Sequence, residues 1–273
     1  MRKSTFLALL ATMLTAVLVV AVTTGCGSKK SSSSTTSAAG GGTITFCSDT
    51  TYPPMESLVN GKAVGADIDI ANAIAKLWGE KAQIDPTGFA GIIGALTANK
   101  CDAVISALTD TAERRKTVDF ADYITVGMLL MVAKGNPAHI SNLNSLSGKT
   151  VAVEAATTEK DTLDSQNKIF AKEGKPKITI QIYPADTNAA IALLAGKVDA
   201  YFADATPVLY YMKKNSGFEV AGKQIAAAPE GIATRKGDPL GPKFEKAISK
   251  LYASGEMQKI LAKWGLSKFA LAT

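Results

Sequence analysis

Two stretches decide the architecture: residues 95–103, ALTANKCDA, and residues 192–200, ALLAGKVDA. Six of their nine positions are identical. Alanine-rich helix ends can look alike by chance. The Lys, Asp and Ala shared at the strand entry instead favour two similar lobes. Upstream of the first stretch, Thr43 to Cys47 is a β-rich run and Ser48 to Pro54 a loop with two prolines. Asp67 to Trp78 reads as a helix, with Ala71, Ile74, Ala75 and Trp78 on one face and Gly79 as its stop. A second helix is expected from about Gly91 to Thr97, followed by the strand Asp102 to Ser106. The later stretch repeats the scheme: Lys149 to Val153 as a strand, Asn188 to Ala195 as a helix, Asp199 to Ala203 as a strand. Alternating strands and helices imply βαβ units, a mostly parallel sheet and the α/β class.

Composition narrows the function. The chain has 273 residues, 47% of them hydrophobic and 20% charged, so it can bury a core without staples. Its net charge is +6, but beyond the first 30 residues the lysines are scattered, and no aromatic RNA-binding motif interleaves them. Nucleic acid is therefore not an expected partner. Three cysteines and one histidine leave little for a metal site or a His-based triad, and no cofactor is expected.

The first 25 residues read as an export signal. Arg2 and Lys3 precede an apolar run from Phe6 to Val22, and small residues lead to Cys26. The competing reading is a membrane anchor, for which the run is of marginal length against the ~20 residues a span requires. Small residues and a cysteine where cleavage would occur favour the signal. Val22-Thr23-Thr24-Gly25-Cys26 resembles the lipobox of bacterial lipoproteins, with Thr23 where an aliphatic residue is usual. The resemblance implies a lipidated, palmitate-bearing Cys26. Residues 26–42 continue as a Ser/Gly-rich tether that cannot form a core.

Ligands of open parallel sheets bind beyond the carboxyl ends of the strands. In one lobe those ends are Ser48-Asp49 and Ser106-Ala107; in the other, Glu154-Ala155 and Ala203-Asp204. If the lobes face one another, these segments line one cleft. Arg114, after the polar loop that follows Ser106, can hold a carboxylate through two parallel hydrogen bonds. Beside Arg115 and Lys116, its position alone would favour a solvated helix surface instead. Asp204, ending an apolar strand, can receive an ammonium or cap the helix that follows. Together Arg114 and Asp204 would clamp a zwitterion. Thr157 and Thr158 add donors, Tyr52 and Phe89 flat apolar walls, and Asp49 lies where a ligand side chain would end.

With these residues in view, the chain resembles the family 3 bacterial solute-binding proteins, the polar amino-acid receptors of ABC importers. The resemblance runs from about Thr43 to Trp264. Its marks include Asp49-Thr50-Thr51-Tyr52-Pro53-Pro54, Val64-Gly65-Ala66-Asp67-Ile68-Asp69, Thr111-Ala112-Glu113-Arg114 and Ala195-Gly196-Lys197-Val198-Asp199-Ala200. It implies a two-lobed periplasmic-binding-protein fold of type II with two hinge crossings. It places ligand contacts at Asp49, Tyr52, Phe89, Ser106, Ala107, Thr109, Arg114, Thr157, Thr158 and Asp204. Three positions depart from the family pattern: Ala66 for phenylalanine, Ala107 for serine or glycine, and Ala156 for the glycine before the threonine pair.

The expected function is the extracytoplasmic substrate-binding component of an ABC importer. It would be a monomer on a lipid anchor at the outer face of the cytoplasmic membrane, working with a membrane permease. The ligand would be a polar L-amino acid of the lysine, arginine, ornithine, histidine or glutamine class. Asp49 and Glu154 both lie within side-chain reach, so a basic ligand fits and an acidic one meets like-charge repulsion. The alternative is an enzyme of the cyclohexadienyl dehydratase type on the same fold, with Asp49 or Glu154 as its acid. The retained clamp and the absence of a spare acid–base pair favour the receptor. Residues 43–127 and 229–273 would form lobe 1 and residues 128–228 lobe 2, with crossings near 126–130 and 224–230. Cys47 and Cys101 are expected to stay unbridged. With Cys47 level with Ile105, four residues of strand separate the cysteines by ~13 Å, too far for a disulfide.

Overall fold

The computed structural model describes residues 41–271. The signal segment 1–25, Cys26 and the tether as far as residue 40 lie outside the described residues. The chain enters through β1 (Thr43–Ser48), then a small antiparallel sheet of β2 (Thr51–Tyr52), β3 (Glu56–Val59) and β4 (Lys62–Val64). Helix α1 (Ala66–Leu77) buries Ile70, Ala71, Ile74 and Ala75 as their spacing requires. It begins from Gly65 at φ 145°, where any Cβ would stand 2.0 Å from the Met55 carbonyl oxygen. Only glycine fits there. Then follow β5 (Lys81–Pro86), α2 (Ile92–Thr97) and the two-residue β6 (Ala103–Val104).

The long β7 (Val118–Ala133) leads to β8 (Thr150–Glu154), α3 (Thr158–Lys172), β9 (Thr179–Tyr183), α4 (Asp186–Leu194) and β10 (Ala200–Asp204). After α5 (Ala205–Lys214), the equally long β11 (Phe218–Arg235) returns to α6 (Leu240–Ala253) and α7 (Glu256–Trp264).

The main sheet has the order β5-β1-β6-β11-β7-β10-β8-β9. Parallel triplets β5-β1-β6 and β10-β8-β9 stand at its two ends, joined by the antiparallel ribbon of β7 and β11. The fold is a two-lobed type II arrangement in which two strands carry the chain across. Their pairing is irregular between Ala221 and Gly231, opposite Asp122–Leu130, so the ribbon is least regular in its middle.

The repeated nine residues are a repeat in three dimensions. In the first, the Asp102 N–H donates to the Thr45 carbonyl and the Thr45 N–H donates to Asp102 Oδ2, both at 2.8 Å. In the second, the Asp199 N–H donates to Thr150 O at 2.8 Å and the Thr150 N–H donates to Asp199 Oδ2 at 2.7 Å. Each helix ends through a left-handed residue, Asn99 (φ 57°) or Gly196 (φ 66°). The shared aspartate thus ties each crossover to the next strand of its parallel sheet.

One expectation is overturned. Cys47 and Cys101 form a disulfide, with Cα atoms 5.7 Å apart. The expectation treated Cys101 as part of a straight strand level with Cys47. In fact Cys47 pairs with Val104, β6 is only two residues long, and Cys101 lies in the turn from α2. That turn folds over the sheet face, so both cysteines enter one buried cluster with Ile92, Leu96, Val104 and Phe120. The rise of an extended strand does not apply to a turn.

Candidate ligand-binding site

The carboxyl ends of β6, β8 and β10 converge on one small, largely closed cavity. Its walls are Tyr52, Phe89, Ser106, Ala107, Thr109, Arg114, Glu154, Thr157, Thr158, Glu159 and Asp204. Ten of the eleven expected residues therefore meet there. Asp49 stands behind the wall. Its Oδ1 accepts from the Thr51 N–H at 3.0 Å and its Oδ2 from the Phe89 N–H at 2.7 Å, which fixes the loop carrying Phe89.

Arg114 is partly buried, whereas Arg115 and Lys116 are exposed and pair with Asp110 and Glu113 at the surface. Its Nη1 donates to the Thr109 carbonyl at 2.8 Å and its Nη2 reaches the Ala156 carbonyl at 3.2 Å. The guanidinium also lies 5.5 Å from the centre of the Phe89 ring. Burial lowers its pKa, opposed by Glu159, Asp204, Asp161 and Glu230, and a guanidinium remains charged regardless.

Asp204 occupies the cap position of α5, but its side chain makes no capping bond. Instead the Tyr52 hydroxyl donates to Asp204 Oδ2 at 2.9 Å and accepts from the Asp204 N–H at 3.2 Å. Burial raises the Asp204 pKa, while Tyr52, Glu159 and Arg114 pull it back. Thr157 caps α3 by accepting from the Lys160 N–H, and it donates to the Glu154 carbonyl at 3.0 Å. Glu154, only 3% exposed, has an Oε1 without a partner. Burial, with Asp186, Asp49 and Glu159 nearby, pushes its pKa up to about 10.

Two acids of the site were not found from the sequence. Glu159 lies on the cavity wall, and burial together with Asp204 drives its pKa well above the usual carboxylate range. Its position in the first turn of α3 is one where acidic residues are common for helix-dipole reasons, so nothing in the pattern distinguished it. Asp186, the first residue of α4, is 1% exposed and holds the hydroxyls of Tyr201 and Tyr211. Burial raises its pKa to about 8. Expecting α4 to begin at residue 188 hid it in a loop. The site therefore carries one guanidinium among several buried carboxyls.

Residues 44–267 match the bacterial extracellular solute-binding proteins, family 3. The chain belongs to this family. It is 31% identical to the arginine-binding protein ArgT of Corynebacterium glutamicum over 82% of this chain and 75% of ArgT. It is 32% identical to the glutamine-binding protein GlnH of Bacillus subtilis over 80% of this chain and 78% of GlnH. Among solved structures, an ancestral arginine-binding protein bound to arginine matches with TM-score 0.75 and 37% identity, over 82% of this chain and 98% of its own. An ancestral arginine-binding protein bound to glutamine matches with the same TM-score, 0.75, and the same identity, 37%.

Against the family pattern, two alanine replacements acquire a physical meaning. Ala107 has φ 42° and Ala156 φ 63°, both in the left-handed region that suits glycine. The Ala107 N–H donates to Asp67 Oδ2 at 2.8 Å, which holds the strained wall segment in place. No helix among the described residues is long and apolar enough to cross a membrane. This chain is an extracellular solute-binding protein of family 3.

Proposed function

We propose that the protein captures a basic L-amino acid in this cavity and binds it without turnover. The α-carboxylate lies on Arg114, aided by Thr158 and the backbone before it. The α-ammonium lies at Asp204, and the side chain runs between Tyr52 and Phe89 toward Glu154. The supporting observation is the charge inventory of the cavity wall: one cation, Arg114, and three carboxyls, Glu154, Glu159 and Asp204. Asp49 and Asp186 reinforce the Glu154 end from behind. A cationic side chain gives those acids a partner, whereas an acidic one adds repulsion. The relatives are named as binding proteins for arginine, cystine and glutamine, which supports an amino acid as ligand and does not favour a dehydratase.

In the same reading, residues 43–127 and 229–273 move as one lobe and 128–228 as the other, about crossings near 126–130 and 224–230. The protein acts as a monomer, tethered through lipidated Cys26 and delivering to a membrane permease. A thermal-shift screen of the twenty amino acids with ornithine and citrulline tests the ligand class, because a ligand bound only by the folded state raises Tm. Arginine, lysine or ornithine should give the largest shift. A largest shift with glutamate or aspartate would overturn the basic-ligand reading.

A further inference from the structure

Glu159 has no role in the clamp just described, yet it is 2% exposed and lines the cavity. Its Oε2 accepts from the Thr158 hydroxyl at 3.2 Å, and its Oε1 has no donor. On the same cavity wall, at the end of β10, stands the Asp204 carboxyl. Ionised carboxyls are acceptors only, so a hydrogen bond between the two requires a proton on one of them. The groups around the pair come from every side: Arg114, Tyr52 and Thr158, with the buried acids Glu154 and Glu230. Arg114 is the one cation among them.

Resting on the amino-acid receptor reading above, we propose that Glu159 and Asp204 together form the ammonium receptor, sharing a proton that leaves when the ligand's α-ammonium arrives. The exchange balances: the O–H of the shared bond is released to solvent as a proton, and N–H donors of the ammonium take its place. An ammonium carries three donors and no acceptor, so it can engage both carboxyls at once. The Tyr52 hydroxyl already donates to Asp204, which leaves the free Oε1 of Glu159 as a natural second acceptor. Because the ligand selects the deprotonated pair, affinity should rise with pH until the pair is fully ionised without ligand.

Calorimetric titration with L-arginine at one pH, in buffers of differing ionisation enthalpy, counts the protons released. Wild-type protein should release about one more proton per arginine than Glu159→Gln, and Glu159→Asp, which keeps the carboxyl, should retain most of the release. Glu159→Gln should still bind, with a flatter dependence of affinity on pH. Equal proton release by wild type and a folded, binding Glu159→Gln would overturn the proposal. Wild-type heats that do not vary with buffer would overturn it without any variant. Wild-type protein that binds no amino acid would overturn the receptor reading and this inference with it.

Discussion

At the scale of single residues, the grip on the ligand is asymmetric. Arg114 is the cation on the cavity wall, so in the proposed binding mode its removal would leave the ligand's α-carboxylate unpaired among acids. Arg114→Ala should weaken amino-acid binding at least ~100-fold, with the fold intact by circular dichroism. Arg114→Lys should recover only part, since a point charge lacks the planar fork. Near wild-type affinity in Arg114→Ala would return that side chain to the surface role of Arg115. Glu154 carries a stability prediction. Its pKa is raised from 4.5 to about 10, so the fold favours its protonated form, and that contribution is present in full below pH 4.5. The contribution fades as pH rises toward 10. At pH 8 to 9, ligand-free Glu154→Gln should therefore melt above wild type, by about 2–4 °C for each kcal/mol recovered, while binding arginine less well. Ala156 at φ 63° offers a simpler gain: Ala156→Gly should stabilise the protein by about 1 kcal/mol in chemical denaturation.

At the scale of elements, the Cys47–Cys101 bridge closes a loop of 54 residues around α1, β5 and α2. The chain-entropy account of such a loop gives about 4 kcal/mol. Replacing both cysteines with alanine should lower stability by up to that amount. In the denatured, unreduced protein neither thiol should titrate; recovery of both as free thiols would contradict the bridge. The same region shows what was legible beforehand. Helix α1, β1 and the two repeated units were readable because apolar spacing and the Lys-x-Asp-Ala entry are local signals. The disulfide was not, since it depends on how a turn folds across a sheet. Site residues at strand ends were legible from topology. Glu159 and Asp186 were not, because an acid in the first turn of a helix looks the same whether it faces water or a cavity.

At the scale of the whole molecule, the site draws Tyr52, Phe89, Ser106 and Arg114 from one side and Glu154, Thr157, Glu159 and Asp204 from the other. Direct bonds already cross between the two sets: Tyr52 to Asp204 and Arg114 to the Ala156 carbonyl. A ligand touching both sets favours the closed arrangement only through that double contact. In the proposed two-lobe motion, the irregular middle of the β7–β11 ribbon would serve as the hinge. Solution scattering of the wild-type protein with and without saturating L-arginine measures this directly. The radius of gyration should be smaller with arginine, unchanged with L-glutamate, and unchanged for Arg114→Ala under the same additions. An unchanged radius in wild-type protein that calorimetry shows to be saturated with arginine would contradict capture between closing lobes.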